Sequence, residues 1–78
     1  MQKVAMITGG AQGIGRATAI QFAWAGYAVS IADIDKDAGL EIIQYIRKLG
    51  GNALYVKTDI SSPEEVEKWF RFSRRARF

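Results

Sequence analysis

The sequence contains no cysteine, no histidine and only one proline. Without cysteine, a disulfide framework and thiolate metal sites are excluded, and without histidine the chain lacks the commonest metal ligand and general base. The apolar stretch near the N-terminus ends in glycines after a few residues, too early for a signal-peptide core or a membrane span. We therefore expect a cytoplasmic protein whose function does not depend on histidine or cysteine chemistry.

Positive charge is concentrated at the C-terminal end. The net charge is +3, and removing the four arginines of residues 71–78 leaves −1 for residues 1–70. These arginines alternate with phenylalanines, a pattern that can bind nucleic acid or an anionic membrane surface. Because the basic segment is short and no basic face lies elsewhere in the sequence, the pattern is weak evidence for binding, and we expect neither nucleic acid nor a membrane as a partner. The change in composition instead suggests a truncation or frameshift, with residues 1–70 as one unit and 71–78 as a basic aromatic tail.

Strands and helices are predicted to alternate. Apolar runs predict strands over 3–8, 28–32 and 53–57. Helical spacing predicts a helix over 13–25, closed by Gly26, and a second helix that is capped by Asp35 and ended by Gly50-Gly51. Ser62 as N-cap, Pro63 at the first helical position and Glu65 completing a capping box predict a third helix. This alternation predicts an α/β fold of βαβ units with a parallel sheet of three strands.

The helices are expected to bury particular side chains. The buried stripe of the first helix is predicted to consist of Ile14, Ala17, Phe22 and Ala25. Trp24 lies off this stripe and is expected to be exposed, whereas Trp69 and Phe70 should continue the apolar stripe of the third helix from Val66. Right-handed crossovers place the first two helices on one face of the sheet. The third would cover the other face only if a fourth strand followed, and none is predicted.

A glycine-rich loop joins the first strand to the first helix. Such a loop presents the unpaired N–H groups and partial positive charge of a helix N-terminus to phosphate, and glycine allows the backbone to approach the pyrophosphate closely. An ordinary turn is the alternative, but the strand–loop–helix context favours phosphate binding. The candidate dinucleotide-binding residues of this loop are Thr8, Gly9, Gln12, Gly13, Ile14 and Gly15.

Asp33 stands at the predicted end of the second strand, 18 residues after Gly15. An acid near this distance accepts hydrogen bonds from the adenosine ribose hydroxyls of a dinucleotide. Asp33 and its neighbour Ile34 are therefore candidate cofactor-binding residues, with a solvated strand-end carboxylate as the alternative. A 2′-phosphate would be repelled by Asp33, with Asp35 and Asp37 close by, so NAD is favoured over NADP. Arg16 is the main counter-indication, unless its side chain is simply solvated.

On the basis of these residues, the chain resembles the N-terminal part of the short-chain dehydrogenases/reductases. The resemblance implies a partial, Rossmann-type parallel sheet with its three strands in the order 3-2-1. Thr8-Gly9 followed by Gly13-Ile14-Gly15 fits the Thr-Gly-x-x-x-Gly-x-Gly loop of that family, and Asp33 falls on its acidic position for NAD-preferring members. The resemblance further implies that Asp59 and Ile60, after the third strand, line the adenine pocket. Without the family, the same residues would be read as a polar strand end at which Asp59 starts a turn.

The resemblance implies an oxidoreductase that moves hydride between a nicotinamide and a carbonyl or alcohol. Members of the family use a serine and a tyrosine with a lysine four residues later, a spacing that is absent after Tyr27, Tyr45 and Tyr55. We therefore expect no catalytic residue in this chain, an inactive chain on its own, and a substrate that its residues do not identify. A non-catalytic nucleotide-binding module is the alternative. The first strand would also have an unpaired edge that favours self-association.

Overall fold

The computed structural model describes residues 2–76 and residue 78, and in them three strands alternate with three helices. The elements are β1 (Val4–Thr8), α1 (Gly13–Trp24), β2 (Ala28–Asp33), α2 (Lys36–Lys48), β3 (Ala53–Lys57) and α3 (Pro63–Arg75). The strands are parallel and lie in the order β1-β2-β3, with Val4 opposite Ala28 and Val29 opposite Ala53. Read from the other edge, this is the predicted order 3-2-1, and the predicted α/β class is confirmed.

One face of the sheet is covered by α1 and α2 through an apolar core. Alternate residues of β2 point to this face because side chains alternate along a strand. The core consists of Ala11, Ala19, Val29, Ile31, Ile42, Ile43, Ile46 and Ala53. Its largest members, Ile31, Ile42 and Ile46, are completely shielded from solvent. Burying side chains of this size contributes about 1.5–3 kcal/mol each, so this face supplies most of the apolar stabilisation.

The predicted stripe of α1 is wrong. Ile14 is 88% exposed and Phe22 is 36% exposed, whereas Ala19 is fully buried and Ile20 and Ala23 pack against the core. The helix therefore approaches the sheet through small side chains, which allow a close contact that a bulkier stripe would prevent. Trp24 is 62% exposed, as the sequence predicted.

The opposite face of the sheet is covered by α3, contrary to the expectation that a fourth strand is needed first. Ser30, which alternates with the core residues of β2, accepts a hydrogen bond from the indole N–H of Trp69 at 2.8 Å and lies 2.6 Å from the Ser73 hydroxyl. Because the Ser73 hydroxyl donates its proton to the Trp69 carbonyl at 2.7 Å, Ser30 is the donor to Ser73. This satisfied buried network fixes where α3 lies on the sheet.

The basic segment continues α3 as far as Arg75. Phe70 is 47% exposed, so its predicted burial beside Trp69 is wrong. Its ring lies 5.7 Å from the Arg74 guanidinium, and Arg71 forms an ion pair with Glu67 at 2.6 Å. Met1 and Arg77, the latter one of the four arginines of the predicted tail, lie outside the described residues.

Within the residues that the structure describes, none of the helices has the length and apolar character required to cross a membrane.

Candidate functional site

The glycine loop closes tightly at the carboxyl end of β1. Gly9 and Gly13 have φ of 64° and 58°, a left-handed conformation that favours glycine. The N–H of Gly9 donates to the carbonyl of Ala32 at 2.8 Å, which ties the loop to β2. A β-carbon on Gly15 would collide with the carbonyl oxygen of Gly9. The loop therefore depends on glycine both for its backbone angles and for its close approach to α1.

The glycine loop leads into α1, whose N-terminus has no side-chain cap among the residues that the structure describes. Gln12 is the N-cap of α1, but no side chain within the described residues caps this end, and its first turn contains no acidic residue. The Gln12 side chain turns away and donates to Asp35 at 2.9 Å. Because the first N–H groups of a helix have no partner within it, this end can accept an anion such as a phosphate. Thr8 and Ile14 lie exposed beside it.

Asp33 links the loop to β2. One carboxylate oxygen accepts a hydrogen bond from the backbone N–H of Ala11 at 3.2 Å, and the other accepts from the N–H of Asp35 at 3.0 Å. An ionised carboxylate has about four acceptor positions, so two hydrogen bonds leave capacity for the hydroxyls of a ribose. The structure thus places the predicted acid directly against the predicted phosphate loop.

Arg16 does not point toward the glycine loop. Its guanidinium lies 3.6 Å from the carboxylate of Glu41 and 5.6 Å from the ring centre of Tyr45, both on α2. The side chain therefore joins α1 to α2. The basic residue that argued in the sequence for a 2′-phosphate therefore contacts α2 in the structure.

The segment after β3 completes a cleft at the same edge of the sheet. Its volume is about 150 Å³, and its lining consists of Gly9, Ala32, Asp33, Ile34, Thr58, Asp59 and Ile60. The cleft therefore brings together all four predicted site residues outside the glycine loop, together with Gly9 of the loop. Ile34 and Ile60 are 61% and 59% exposed, so the cleft offers two apolar side chains to a flat ligand.

The carboxylate of Asp59 is also engaged in a turn. It accepts hydrogen bonds from the backbone N–H and the hydroxyl of Ser61, and these hold the pKa of Asp59 below its usual value. The N–H of Asp59 donates to the Glu65 carboxylate at 2.9 Å. The predicted capping box is therefore incomplete, because the N–H of Ser62 donates to the carbonyl of Asp59 and not to the Glu65 side chain. Ser62 does cap α3, accepting from the N–H of Glu65.

Sequence reasoning missed three residues that hold Asp33 in place. Ala11 supplies an N–H to its carboxylate, and the N–H of Thr58 and the hydroxyl of Tyr55 both donate to its carbonyl, at 3.1 and 2.8 Å. Ala11 and Thr58 carry no residue-type signal, because they act through their backbone. Tyr55 had one signal: Gly39 interrupts the predicted second helix, and a glycine inside a helix often marks a close packing contact.

The family model described as short chain dehydrogenase matches residues 3–76 of the chain. An uncharacterized oxidoreductase of Thermotoga maritima is 45% identical over 69 residues, which are 88% of this chain and 27% of that protein. The 7alpha-hydroxysteroid dehydrogenase of Escherichia coli K12 is 44% identical over 64 residues, 82% of this chain and 25% of that protein. The chain thus spans about a quarter of the length of these curated relatives.

Solved structures give the same result. A short chain dehydrogenase/reductase from Burkholderia phymatum, in complex with NAD, superposes with a TM-score of 0.87 at 34% identity, over 90% of this chain and 25% of that one. A hydroxysteroid dehydrogenase from Escherichia coli superposes with a TM-score of 0.85 at 40% identity, over 92% of this chain and 32% of that one.

Proposed function

Because the chain belongs to the short chain dehydrogenase family, we propose that it binds the adenosine diphosphate portion of NAD at the edge where the three strands end. The pyrophosphate lies at the N-terminus of α1, the adenosine ribose at Asp33, and the adenine between Ile34 and Ile60. Thr8, Gly9, Gln12, Gly13, Ile14 and Gly15 form the phosphate side of the site, and Asp59 borders the adenine.

The contact between Ala11 and Asp33 carries this proposal. The N–H of Ala11, in the glycine loop, donates to the Asp33 carboxylate at 3.2 Å. The group suited to phosphate and the group suited to ribose hydroxyls are therefore neighbours, as they must be to hold parts of one nucleotide. A phosphate site alone or a strand-end carboxylate alone would not require this contact.

NAD is preferred over NADP for an electrostatic reason. A 2′-phosphate would lie beside the Asp33 carboxylate, with Asp35 next to it, and like charges at short distance repel. Arg16, the nearby basic residue of α1, is engaged by Glu41 and Tyr45. Little positive charge is then left on this side of the site to compensate a 2′-phosphate.

When bound, the nicotinamide supplies hydride transfer, the chemistry of oxidoreductases. Since the chain spans about a quarter of its relatives, we assign this reaction to a longer protein and assign cofactor binding to the present residues. The cytoplasmic location and the inactivity of the 78-residue chain stay predictions, and no substrate is assigned.

Calorimetric titration of the chain with NAD and NADP tests the proposal. Asp33→Asn should weaken NAD binding by about 10- to 100-fold, the value of a hydrogen bond to a charged group, and should narrow the gap between NAD and NADP. Asp37→Asn, in the exposed first turn of α2, is the matched control and should leave NAD affinity unchanged. Equal loss in the two variants, or none in Asp33→Asn, contradicts the assignment.

We also propose that the outer edge of β1 pairs with a second copy of the chain. The N–H of Ala28 donates to the carbonyl of Lys3, and the N–H of Gly9 donates to Ala32. The backbone N–H and C=O groups of the odd-numbered residues of β1 thus face β2. Those of Val4, Met6 and Thr8 face the outer edge of the sheet, where no described strand pairs with them. Residues 4–15 contain no charged residue, so the edge lacks the usual protection against pairing.

Antiparallel pairing centred on Met6 would match Val4 of one copy with Thr8 of the other and join the two sheets into one of six strands. Sedimentation equilibrium should then show a dimer, and Val4→Lys should shift the chain to monomer. A chain that is monomeric at all concentrations contradicts this pairing.

A further inference from the structure

Tyr55 reaches from β3 to the backbone of the acid that, under the proposed function, binds the ribose. Its hydroxyl donates to the carbonyl of Asp33 at 2.8 Å, and the N–H of Thr58 donates to the same carbonyl at 3.1 Å. Tyr55 of β3 and Thr58, the residue that follows β3, therefore hold the backbone of Asp33 at two points. The carboxylate of the same residue is held by the N–H groups of Ala11 and Asp35.

Gly39 makes the position of Tyr55 feasible. A β-carbon at this position of α2 would lie 2.6 Å from Cζ of the Tyr55 ring and closer still to two neighbouring ring carbons. The ring therefore packs directly on the helix backbone. Glycine weakens a helix interior, so its use inside α2 is accounted for by this contact.

The phenol of Tyr55 is suited to be a permanent donor. Partial burial, together with the negative charges of Asp33 and Asp35, raises the pKa of Tyr55 above its usual value. The hydroxyl thus keeps its proton throughout the neutral range and donates it to the Asp33 carbonyl.

From this geometry we propose that Tyr55, seated on Gly39, is a positioning residue that sets the Asp33 carboxylate for the adenosine ribose. The inference rests on the proposed function for the identity of the ligand. Removing the hydroxyl frees one of the two anchors of the Asp33 carbonyl. The carboxylate then samples more orientations, and the hydrogen bond to the ribose 2′-hydroxyl weakens.

The ratio of the dissociation constants of 2′-deoxyadenosine diphosphate and adenosine diphosphate measures this hydrogen bond. In the unaltered chain, we expect adenosine diphosphate to bind about tenfold tighter or more. Tyr55→Phe keeps the ring and removes the hydroxyl, and it should lower the ratio by about two- to tenfold, as expected for one lost hydrogen bond. A general loss of structure would weaken both ligands alike and leave the ratio unchanged.

Tyr27→Phe is the matched control, because Tyr27 precedes β2 and lies at the other end of the sheet, where its ring packs edge-on against Phe22. It should leave the ratio at its original value. Gly39→Ala should lower the ratio by displacing the Tyr55 ring. Adding Tyr55→Phe to Gly39→Ala should not lower the ratio further, because the hydroxyl is already displaced. An unchanged ratio in Tyr55→Phe overturns the inference.

Hydrogen exchange without ligand separates this inference from the proposed function. In Tyr55→Phe, the amides of Ala11 and Asp35 should exchange about two- to tenfold faster, because the Asp33 carboxylate that accepts from them is less fixed. The amide of Val66 in α3 should not change. If the unaltered chain binds neither nucleotide, the proposed function fails, and the exchange rates alone decide whether Tyr55 positions Asp33. Unchanged exchange at Ala11 and Asp35 contradicts the positioning.

Discussion

The N-terminus of α1 differs from those of α2 and α3. Asp35 caps α2 and Ser62 caps α3 through hydrogen bonds to the N–H of Ala38 and Glu65, and both helices carry acidic residues in the first turn. Within the described residues, α1 has neither a side-chain cap nor an acid at this end. In α2 and α3 one of the unpaired N–H groups is thus satisfied by a side chain of the chain itself, whereas those of α1 have no such acceptor in the part of the chain that the structure describes. If α1 binds the pyrophosphate as proposed, the missing cap lowers the intrinsic stability of this helix in exchange for binding.

The largest effect on NAD binding is expected from a substitution that displaces the glycine loop from the N-terminus of α1. Gly15→Ala places a β-carbon against the carbonyl of Gly9 and should push the glycine loop away from α1. We expect NAD binding to weaken by about 100-fold, since two or more hydrogen bonds to phosphate are lost. Calorimetric titration measures this loss.

Gly26→Ala is the control for this variant. Gly26 has φ of 90° at the other end of α1, so the substitution is strained but distant from the loop. It should cost about 1 kcal/mol of stability and leave binding by the folded chain intact. Equal weakening in both variants would show that Gly15→Ala acts through general destabilisation.

A smaller effect is expected from giving α1 a cap of its own. Gln12 already has the extended backbone of an N-cap, so Gln12→Ser should accept a hydrogen bond from the first turn, whereas Gln12→Ala cannot. Both lose the contact with Asp35. Relative to Gln12→Ala, the serine variant should be about 0.5–2 kcal/mol more stable and bind NAD about two- to tenfold more weakly. Urea unfolding and titration test the pair; tighter binding by the serine variant contradicts the account.

Removing a cap from α3 should have the opposite signature. Ser62→Ala leaves the N–H of Glu65 without its side-chain acceptor, and the bond is long at 3.3 Å, so the loss should be near the lower end of the usual range, about 0.5–1 kcal/mol. Urea unfolding measures it. NAD affinity of the folded variant should not change, because the N-terminus of α3 is not part of the proposed NAD site. A marked loss of affinity would show that α3 belongs to the site.

The smallest effect concerns Asp59. Its pKa is lowered in the folded chain, so its contribution to stability is present above the pKa of the unfolded state and is lost as pH falls through the folded value. Ser61→Ala removes the stronger of the two hydrogen bonds, should raise the pKa of Asp59 and should reduce this acid-side loss. A carbon-detected titration of the carboxyl group checks the direction. An unchanged midpoint would contradict the role of Ser61.

Much of the fold was predictable because its local signals agree. The run Ala28–Ala32, the cap at Asp35 and the start Ser62-Pro63 each fit one structure, and β2, α2 and α3 begin as predicted. The acid Asp33 was found because its distance from the glycine loop is set by one strand and one helix.

The remainder depends on contacts that local patterns do not encode. The buried face of α1 was missed because it packs through Ala19 and Ala23, and small residues give no strong periodic signal. The side of the sheet covered by α3 is set by Ser30, Trp69 and Ser73, which meet only in the folded chain. The contact of Tyr55 with Asp33 likewise joins residues 22 positions apart.

Amide chemical-shift changes on titration with NAD test the central difference between the helices most directly. The account predicts the largest changes at Gly13, Ile14 and Gly15, with little change at the first residues of α2 and α3. Saturation at a single affinity would show that one site is responsible. Changes of equal size at all three helix N-termini, or none at residues 13–15, would contradict the account.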